Sequence, residues 1–343
     1  MASGGGDHVT LSGVPGSPYT RKMTALLRYR RIPYRLLQLS RDAPGLPQAK
    51  VSLLPTFYFP DASGELQAVT DSTPILRRLE AEYAGRSARP EDPALALIDA
   101  LLEDYGDEWV TKAMFHYRWT YEADIAKASG VLPGFRGATM PDAQFKVAAK
   151  GIADRQIPRL RYVGSNPTTG PVIEASYTRL LDLLEAHLTE HKFLLGGRPA
   201  ACDFAIYGQL TQLVHFDPTS MAVAAARAPR VSAWVMLMED LSGEEPTPGH
   251  WFDVAALPAT LKAILAEVGR VYTPLLLANA KAVRAGAETV ETVIDGQPWS
   301  QQPFPYQAKC LGWLREERAA LSDADRARAD AALAGSGCEP LFA

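Results

Sequence analysis

The stretch VTLSGVPGSPYTRKMTALL, Val9–Leu27, changes its hydrophobic period partway along. HVTLSG at its start is short and β-prone, whereas YTRKMTALLRYR carries Met23, Leu26, Leu27 and Arg30 at three- and four-residue spacing, the mark of a helix. Between the two patterns Ser17 stands directly before Pro18. Serine at the N-cap and proline in the first helical position are a favoured pair, because the serine oxygen can accept an orphan backbone N–H and proline has no N–H to leave unpaired. The stretch therefore predicts strand, turn and helix. YRLLQLS, which follows, alternates as a second strand and completes a minimal βαβ unit.

Further along, VSLLPTFYFP reads as a strand containing Pro55, DASGEL as a turn about Ser63 and Gly64, and LQAVT as another strand. A proline cannot donate to a sheet ladder, so Pro55 belongs at an edge or at the strand's first residue, where a cis bond is an option. DSTPILRRLEAEY predicts a helix with Asp71 or Ser72 as N-cap, Pro74 in its first turn, and Ile75, Leu76 and Leu79 on one face. These elements make a βαβββα domain over residues 8–83. The turn-forming and charged segment AGRSARPEDP, Ala84–Pro93, reads as a linker. From Ala94 to Val268 nearly every segment has helical periodicity, predicting an all-α second domain over residues 94–268. A third region, 269–343, predicts a helix through LLLANAKAV, a hairpin about Asp295-Gly296, and helices beginning near Tyr306 and Ser322.

With 343 residues the chain can bury more than one core, and its hydrophobic fraction of 47% and charged fraction of 22% exclude disordered and fibrous classes. A formal charge of -4 gives no electrostatic reason to expect nucleic acid or an anionic membrane as partner. The three cysteines, Cys202, Cys310 and Cys338, are too few and too far apart for a disulfide framework or a metal motif, which suits a reducing cytoplasm. MASGGGDHVT lacks the charged and apolar regions of a signal peptide and reads as a short flexible tail. The histidines are scattered without metal-ligand spacing, so no metal is expected.

The βαβ unit, the proline-opened strand pair, the capped helix and the helical second domain together resemble the glutathione transferases, and four motifs carry the likeness. SPYTRK, Ser17–Lys22, is similar to the family's active-site loop; LLP, Leu53–Pro55, to its cis-proline loop; DSTPI, Asp71–Ile75, to its acidic-Ser pair; GGRPAACDFAIYGQL, Gly196–Leu210, to the start of its interior helix. The resemblance covers about Val9 to Leu241. It implies a thioredoxin-like α/β domain followed by an all-α bundle, with glutathione as cofactor and a cytoplasmic homodimer as the working form. A homodimer of that kind would pair through the first domain's exposed face and the first long helices of the second. The resemblance also implies Ser17 at the glutathione sulfur, with Ser12 as the other candidate, and Leu54 and Pro55 on the cysteinyl part. Asp71 and Ser72 would hold the γ-glutamyl end, and Lys50 the glycyl carboxylate. The implied activity is attack of a bound glutathione thiolate on a small electrophile by addition, substitution or elimination. The other reading is a non-catalytic binding or assembly protein on the same scaffold. Two positions depart from the family pattern: Ala200 stands where a capping Ser or Thr is usual, and Lys50 lies five residues before Pro55.

Each site residue also has a purely structural explanation. Ser17 with Pro18 is a helix start, and Asp71 with Ser72 is another. At the same time, a helix N-terminus stabilises an anion, and a hydroxyl there can donate to a thiolate and lower its pKa. Serine cannot form a mixed disulfide, so disulfide exchange is excluded at this position. EDYGDEW, Glu103–Trp109, reads as a solvated helix face, or by the resemblance as a border of the cleft from which Asp104 or Asp107 reaches glutathione. FHYRW, Phe115–Trp119, reads as helical core with a hydrogen-bonded His116, or as a wall of the acceptor pocket. WSQQPFPYQAKCLGWL carries Trp299, Phe304, Tyr306 and Trp313, an aromatic area that predicts packing of the third region against its own chain near the cleft.

Overall fold

A computed structural model describes residues 8–38, 45–247 and 250–343 apart from the side chain of Arg136. Residues 1–7 of the segment expected as a tail and residues 39–40 of YRLLQLS lie outside the described residues, whereas Val9 and Thr10 belong to the first strand. β1 (Val9–Gly13), α1 (Pro18–Tyr29), β2 (Tyr34–Gln38), β3 (Thr56–Pro60), β4 (Leu66–Val69) and α2 (Ser72–Glu82) form the first domain. The sheet order is β2-β1-β3-β4; β1 and β2 are parallel, and β3 runs antiparallel to both β1 and β4. Pro55 precedes the first residue of β3, and the Leu54–Pro55 bond is cis. This is the thioredoxin-like arrangement, with Met23, Leu26 and Leu27 of α1 fully buried and Leu11 and Phe57 of the sheet in the same core.

The remainder is almost entirely helical: α3 (Pro93–Tyr105), α4 (Thr111–Thr120), α5 (Glu122–Val131), α6 (Asp142–Gln156), α7 (Gly170–His187), α8 (Ala201–Leu213), α9 (Pro218–Arg227), α10 (Pro229–Met238) and α11 (Ala259–Ala285). A hairpin of β5 (Val290–Ile294) and β6 (Gln297–Gln301) follows, then α12 (Pro305–Ala319) and α13 (Asp323–Leu333). Asp295 and Gly296 between the strands both have positive φ, as a two-residue hairpin turn requires. α8 is buried from Ala201 to Leu213 and packs closely on α1 of the first domain. Gly208 permits that approach: a Cβ there would lie 2.6 Å from the Pro18 carbonyl oxygen. Asp203 caps α8, accepting from the backbone N–H groups of Ala200 and Leu194 at 2.8 and 2.9 Å. Its carboxylate caps without a hydroxyl at position 200.

The boundary expected at Val268 falls inside α11, which runs unbroken from Ala259 to Ala285 through Pro274. The helix continues across Gly269 and Pro274, so the change to a less regular region comes after Ala285 and not at Val268. Gly269 instead marks a close contact: a Cβ there would lie 2.0 Å from the Ser336 carbonyl oxygen and 2.7 Å from the Gly337 carbonyl carbon. Beyond α11, the chain folds back so that α12 and α13 pack on α3, and Glu317 of α12 pairs with Arg77 of α2. α3 is buried from Ala94 to Glu103 within this one chain, so the helix face that the homodimer expectation assigns to a partner is covered by α8 and by α11 to α13. Among the described residues no helix is long and apolar enough to cross a membrane.

Ala is the better helix former, by roughly 1 kcal/mol, so Gly269→Ala would stabilise an ordinary helix. In this protein the sign should reverse, because the new methyl meets rigid backbone, and overpacking of that kind costs roughly 1–3 kcal/mol. Urea unfolding of the two proteins measures the difference; equal or greater stability of the variant would show that the 336–337 segment does not dock on α11.

Candidate active site

α1 begins as its sequence requires. Ser17 is the N-cap, and its Oγ accepts from the Thr20 N–H at 3.2 Å while donating to the Leu54 carbonyl at 3.3 Å. The helix start and the cis-proline loop are thus joined directly. The helical domain holds the loop before Ser17 from the other side: Arg118 Nη1 donates to the Gly16 carbonyl at 3.1 Å and Gln212 Nε2 to the Pro15 carbonyl at 3.1 Å. Arg118 is itself buried and paired with Asp217 at 2.9 Å. Ser12 is fully buried at the end of β1 and exchanges a hydrogen bond with the Tyr58 hydroxyl.

Beside the start of α1 opens a cavity of about 850 Å³, bounded by Leu54, Pro55, Asp71 and Ser72 of the first domain. The helical domain contributes Glu103, Asp104, Asp107, Glu108 and Lys112, and the third region Phe304, Tyr306, Gln307 and Trp313. Lys50 is exposed and is not among the lining residues. Ser17 is buried, bonded to the Leu54 carbonyl, and also falls outside the lining. Four of the six expected site residues therefore share one cavity, and Ser17 touches it through Leu54.

Asp71 does not cap α2. Its backbone has φ 88° and ψ 107°, an uncommon conformation for a residue with a Cβ, and its side chain makes no capping bond. Asp71 Oδ1 instead accepts from the Tyr306 hydroxyl at 2.9 Å. Burial raises the Asp71 pKa, opposed by that hydrogen bond and by Lys309. Tyr306 comes from the region that the sequence motifs leave unexplained.

EDYGDEW is not a solvated face. Glu103, Asp107 and Glu108 are buried, because a π-helical turn over Gly106–Val110 follows α3 and directs the acids inward. Gly106 is where that turn crosses α8; a Cβ there would lie only 3.0 Å from the Ile206 backbone nitrogen. The buried Lys22 of α1 pairs with Glu103 at 2.7 Å and with Asp107 at 2.6 Å, and lies 3.5 Å from the Ser72 hydroxyl. Burial works against the Lys22 charge, but Asp107 and Glu103 outweigh it and its pKa is raised. Burial pushes Asp104 up to about 7 and Glu108 to about 8, and lowers Lys112 to about 8.

The FHYRW residues are core. His116 bonds Ser165 and Glu174, Trp119 is buried, and neither lines the cavity. Among the described residues no group of three or more His, Cys, Asp or Glu is placed to hold a metal ion. Lys22 and Tyr306 are the residues that sequence reasoning misses. Lys22 lies within the quoted helix, and its signal is a lysine on the same face as Met23 and Leu26. Tyr306 has no signal beyond the aromatic content of its segment.

The sequence model described as "Glutathione S-transferase, N-terminal domain" matches residues 11–87. The chain carries a glutathione S-transferase N-terminal domain. Its strand order, the cis bond before β3 and the start of α1 lie within that match. Among solved structures, a glutathione transferase from Pseudomonas putida with glutathione disulfide bound is 16% identical, with 68% of this chain and 85% of that one covered and a TM-score of 0.40. A glutathione transferase from Burkholderia graminis with two glutathione molecules bound per subunit is 16% identical over 75% and 88% of the two chains, TM-score 0.42. FzlA from C. crescentus is 17% identical over 74% and 97%, TM-score 0.40. No curated protein matches the chain.

Removing Lys22 from the transferase domain leaves Glu103 and Asp107 buried without their cation. Breaking a buried pair in this way costs about 3–5 kcal/mol, more than an isosteric apolar replacement recovers. Lys22→Met should therefore lower stability by that amount in chemical unfolding at neutral pH, with part of the loss restored at lower pH as the carboxylates protonate. A change under about 1 kcal/mol would show that the pair is not what joins the domains.

Proposed function

We propose that the protein is a glutathione transferase that activates bound glutathione as a thiolate for attack on a small electrophile. The observation that carries this reading is the meeting of Leu54, cis-Pro55, Asp71 and Ser72 on one cavity beside the N-terminus of α1. The backbone at Leu54 offers hydrogen bonds to the cysteinyl unit. The α2 N-terminus with Ser72 suits a carboxylate, and the Asp71 carboxylate suits an ammonium, which together match the amino-acid end of a γ-glutamyl peptide. Lys50, exposed and outside the lining, supports a looser role toward the glycyl carboxylate than the resemblance implies.

Ser17 would turn its hydroxyl from the Leu54 carbonyl to the sulfur. That hydrogen bond and the positive end of α1 stabilise the thiolate over the thiol, so the thiolate fraction at neutral pH rises. The electrophile then enters from the side of Phe304, Tyr306 and Trp313, which give the cavity an apolar wall. Any homodimer uses faces other than that of α3.

The second reading, a binding or assembly protein, is favoured by two observations: the Ser17 hydroxyl is already engaged by Leu54, and Tyr306 already occupies Asp71. Immobilised glutathione separates ligand binding from its absence, and thiolate chemistry then separates the enzyme from a binder. Ser17→Ala should cost about 1 kcal/mol of stability through the lost cap. It should also raise the bound thiol's pKa, and each unit of rise above the working pH lowers the thiolate fraction, and with it turnover, by up to about tenfold. Glutathione affinity should fall much less, since the peptide's other anchors stay in place. Thiolate absorbance titrated in both complexes is the measurement; identical pKa values with undiminished turnover would remove Ser17 from the chemistry and leave Ser12 or a backbone N–H in its place.

A further inference from the structure

Charge on the lining of the cavity is mostly paired or suppressed by burial. Among the described residues Glu103 and Asp107 pair with Lys22, and Arg77 pairs with Glu317. Asp71 accepts from the Tyr306 hydroxyl, and burial raises Asp104 and Glu108 to about 7 and 8, so neither of those two carries a full charge near neutrality. Lys112 is buried and donates to the Val163 carbonyl at 3.0 Å and to Gln301 Oε1 at 3.3 Å. Arg159 differs from all of these. It lines the cavity and is only half-buried, and its Nη1 reaches no more than Gln156 Oε1 at 3.5 Å. Its Nε and Nη2 have no partner among the described residues and stay open to solvent. A guanidinium with five donors is thus left almost entirely free on the wall of an otherwise committed cavity.

The backbone that carries Arg159 is fixed at both ends. Arg159 lies in a 3-10 segment, Ile157–Val163, that follows α6. Lys112 holds the carbonyl of Val163, and the next residue, Gly164, has φ 73° and no room for a side chain, since a Cβ there would lie 2.4 Å from Gln301 Oε1. Ahead of α6, Leu132 and Phe135 close on the loop before Ser17: a Cβ on Gly16 would lie 2.6 Å from Leu132 Cδ2 and 2.9 Å from Phe135 Cε2. The segment 132–163 therefore runs from the start of α1 to the cavity. It is also basic over its second part, with Lys146, Lys150, Arg155, Arg159 and Arg161 against Asp142 and Asp154, in a chain whose formal charge is -4. A positive strip in a negative molecule raises the local concentration of anions beside the cavity.

We propose that Arg159 binds a carboxylate of the second substrate, so that the electrophile is a small organic acid whose apolar part lies against Phe304, Tyr306 and Trp313. The inference deepens the proposed function and rests on it for the reaction, though the binding itself can be measured without glutathione. A guanidinium matches a carboxylate with two parallel hydrogen bonds, which fixes the orientation of the acid as well as its charge. The residues proposed to hold glutathione all come from the first domain, whereas Arg159 belongs to the helical one. It therefore stands with the part of the cavity left for the electrophile, and acts on which substrate is accepted, not on the sulfur.

The test uses a ring-matched pair of electrophiles, 4-chloro-3-nitrobenzoate and 4-chloro-3-nitrobenzamide. With either one, the glutathione thiolate bonds to the ring carbon that bears chlorine, and chloride leaves with the electron pair of the broken bond. Calorimetric titration without glutathione reads binding alone, and kcat/KM divided by the uncatalysed rate reads the reaction. The benzoate should bind at least about tenfold more tightly than the benzamide and show a similar advantage in the normalised kcat/KM. Arg159→Gln should abolish the preference, Arg159→Lys should keep part of it, and Arg155→Gln, a neighbouring exposed cation that does not line the cavity, should leave it unchanged. Glutathione affinity should be the same in Arg159→Gln as in the unaltered protein. Equal or tighter binding of the benzamide overturns the inference, as does an absence of benzoate binding or a preference that survives Arg159→Gln. An equal loss in Arg155→Gln overturns it too, because the general field would then suffice. So does a fall in glutathione affinity as large as that for the benzoate, since Arg159 would then hold the glycyl carboxylate. Failure of glutathione to bind in a separate titration refutes the proposed function, and the binding of the benzoate pair still decides the role of Arg159.

Discussion

Lys22 ties this molecule together. A primary ammonium group buried at the interface of two domains is tolerated only where carboxylates and hydroxyl oxygens surround it. Lys22 meets Glu103 and Asp107 at 2.7 and 2.6 Å. Because Lys22 is on α1, Ser72 opens α2 and the two acids flank the turn after α3, one side chain sets the mutual position of three helix ends. Ser17 and Ser72 sit at two of those ends. The geometry of the candidate site is therefore inherited from an ion pair that lies behind it.

The third region completes the arrangement and changes its character. By laying α12 and α13 over α3, it encloses acids that would otherwise face water, and burial then moves their pKa values toward neutrality. The same layer contributes Tyr306 to Asp71 and Gln307 to Glu108. It also adds Phe304, Tyr306, Gln307 and Trp313 to a cavity whose other lining comes from the first two domains. The Arg77–Glu317 pair and the contact of Ser336 and Gly337 with Gly269 hold the layer in place at two distant points.

Much of the first domain could be read in advance, since its signals are local. The strand-to-helix change of period at Ser17, the proline ahead of β3 and the turn signal at Ser63-Gly64 each depend on a few neighbouring residues. The hairpin at Asp295-Gly296 is legible for the same reason: two residues with positive φ are cheapest when one is glycine. Lys50 and Asp71 show the limit of motif transfer. Lys50 has the expected residue type but an exposed position outside the lining. Asp71 occupies the place of an N-cap, but its backbone conformation directs the carboxylate to Tyr306 instead of to the helix.

What the sequence determined by itself was the set of elements whose causes are near in the chain: the βαβββα order, the capped starts of α1 and α13, and the helical periodicity of the second domain. What only the tertiary structure decided were the features whose causes lie far apart in the chain. Gly269 gives no local sign of the close contact that residues 336–337 make with it, and Glu103–Trp109 looks like a solvated face until α8 and α12 cover it. Periodicity reports which face of a helix is apolar, but it cannot report that charged residues are buried with partners from another domain, since the compensation for burying them is supplied by residues that the local pattern does not contain.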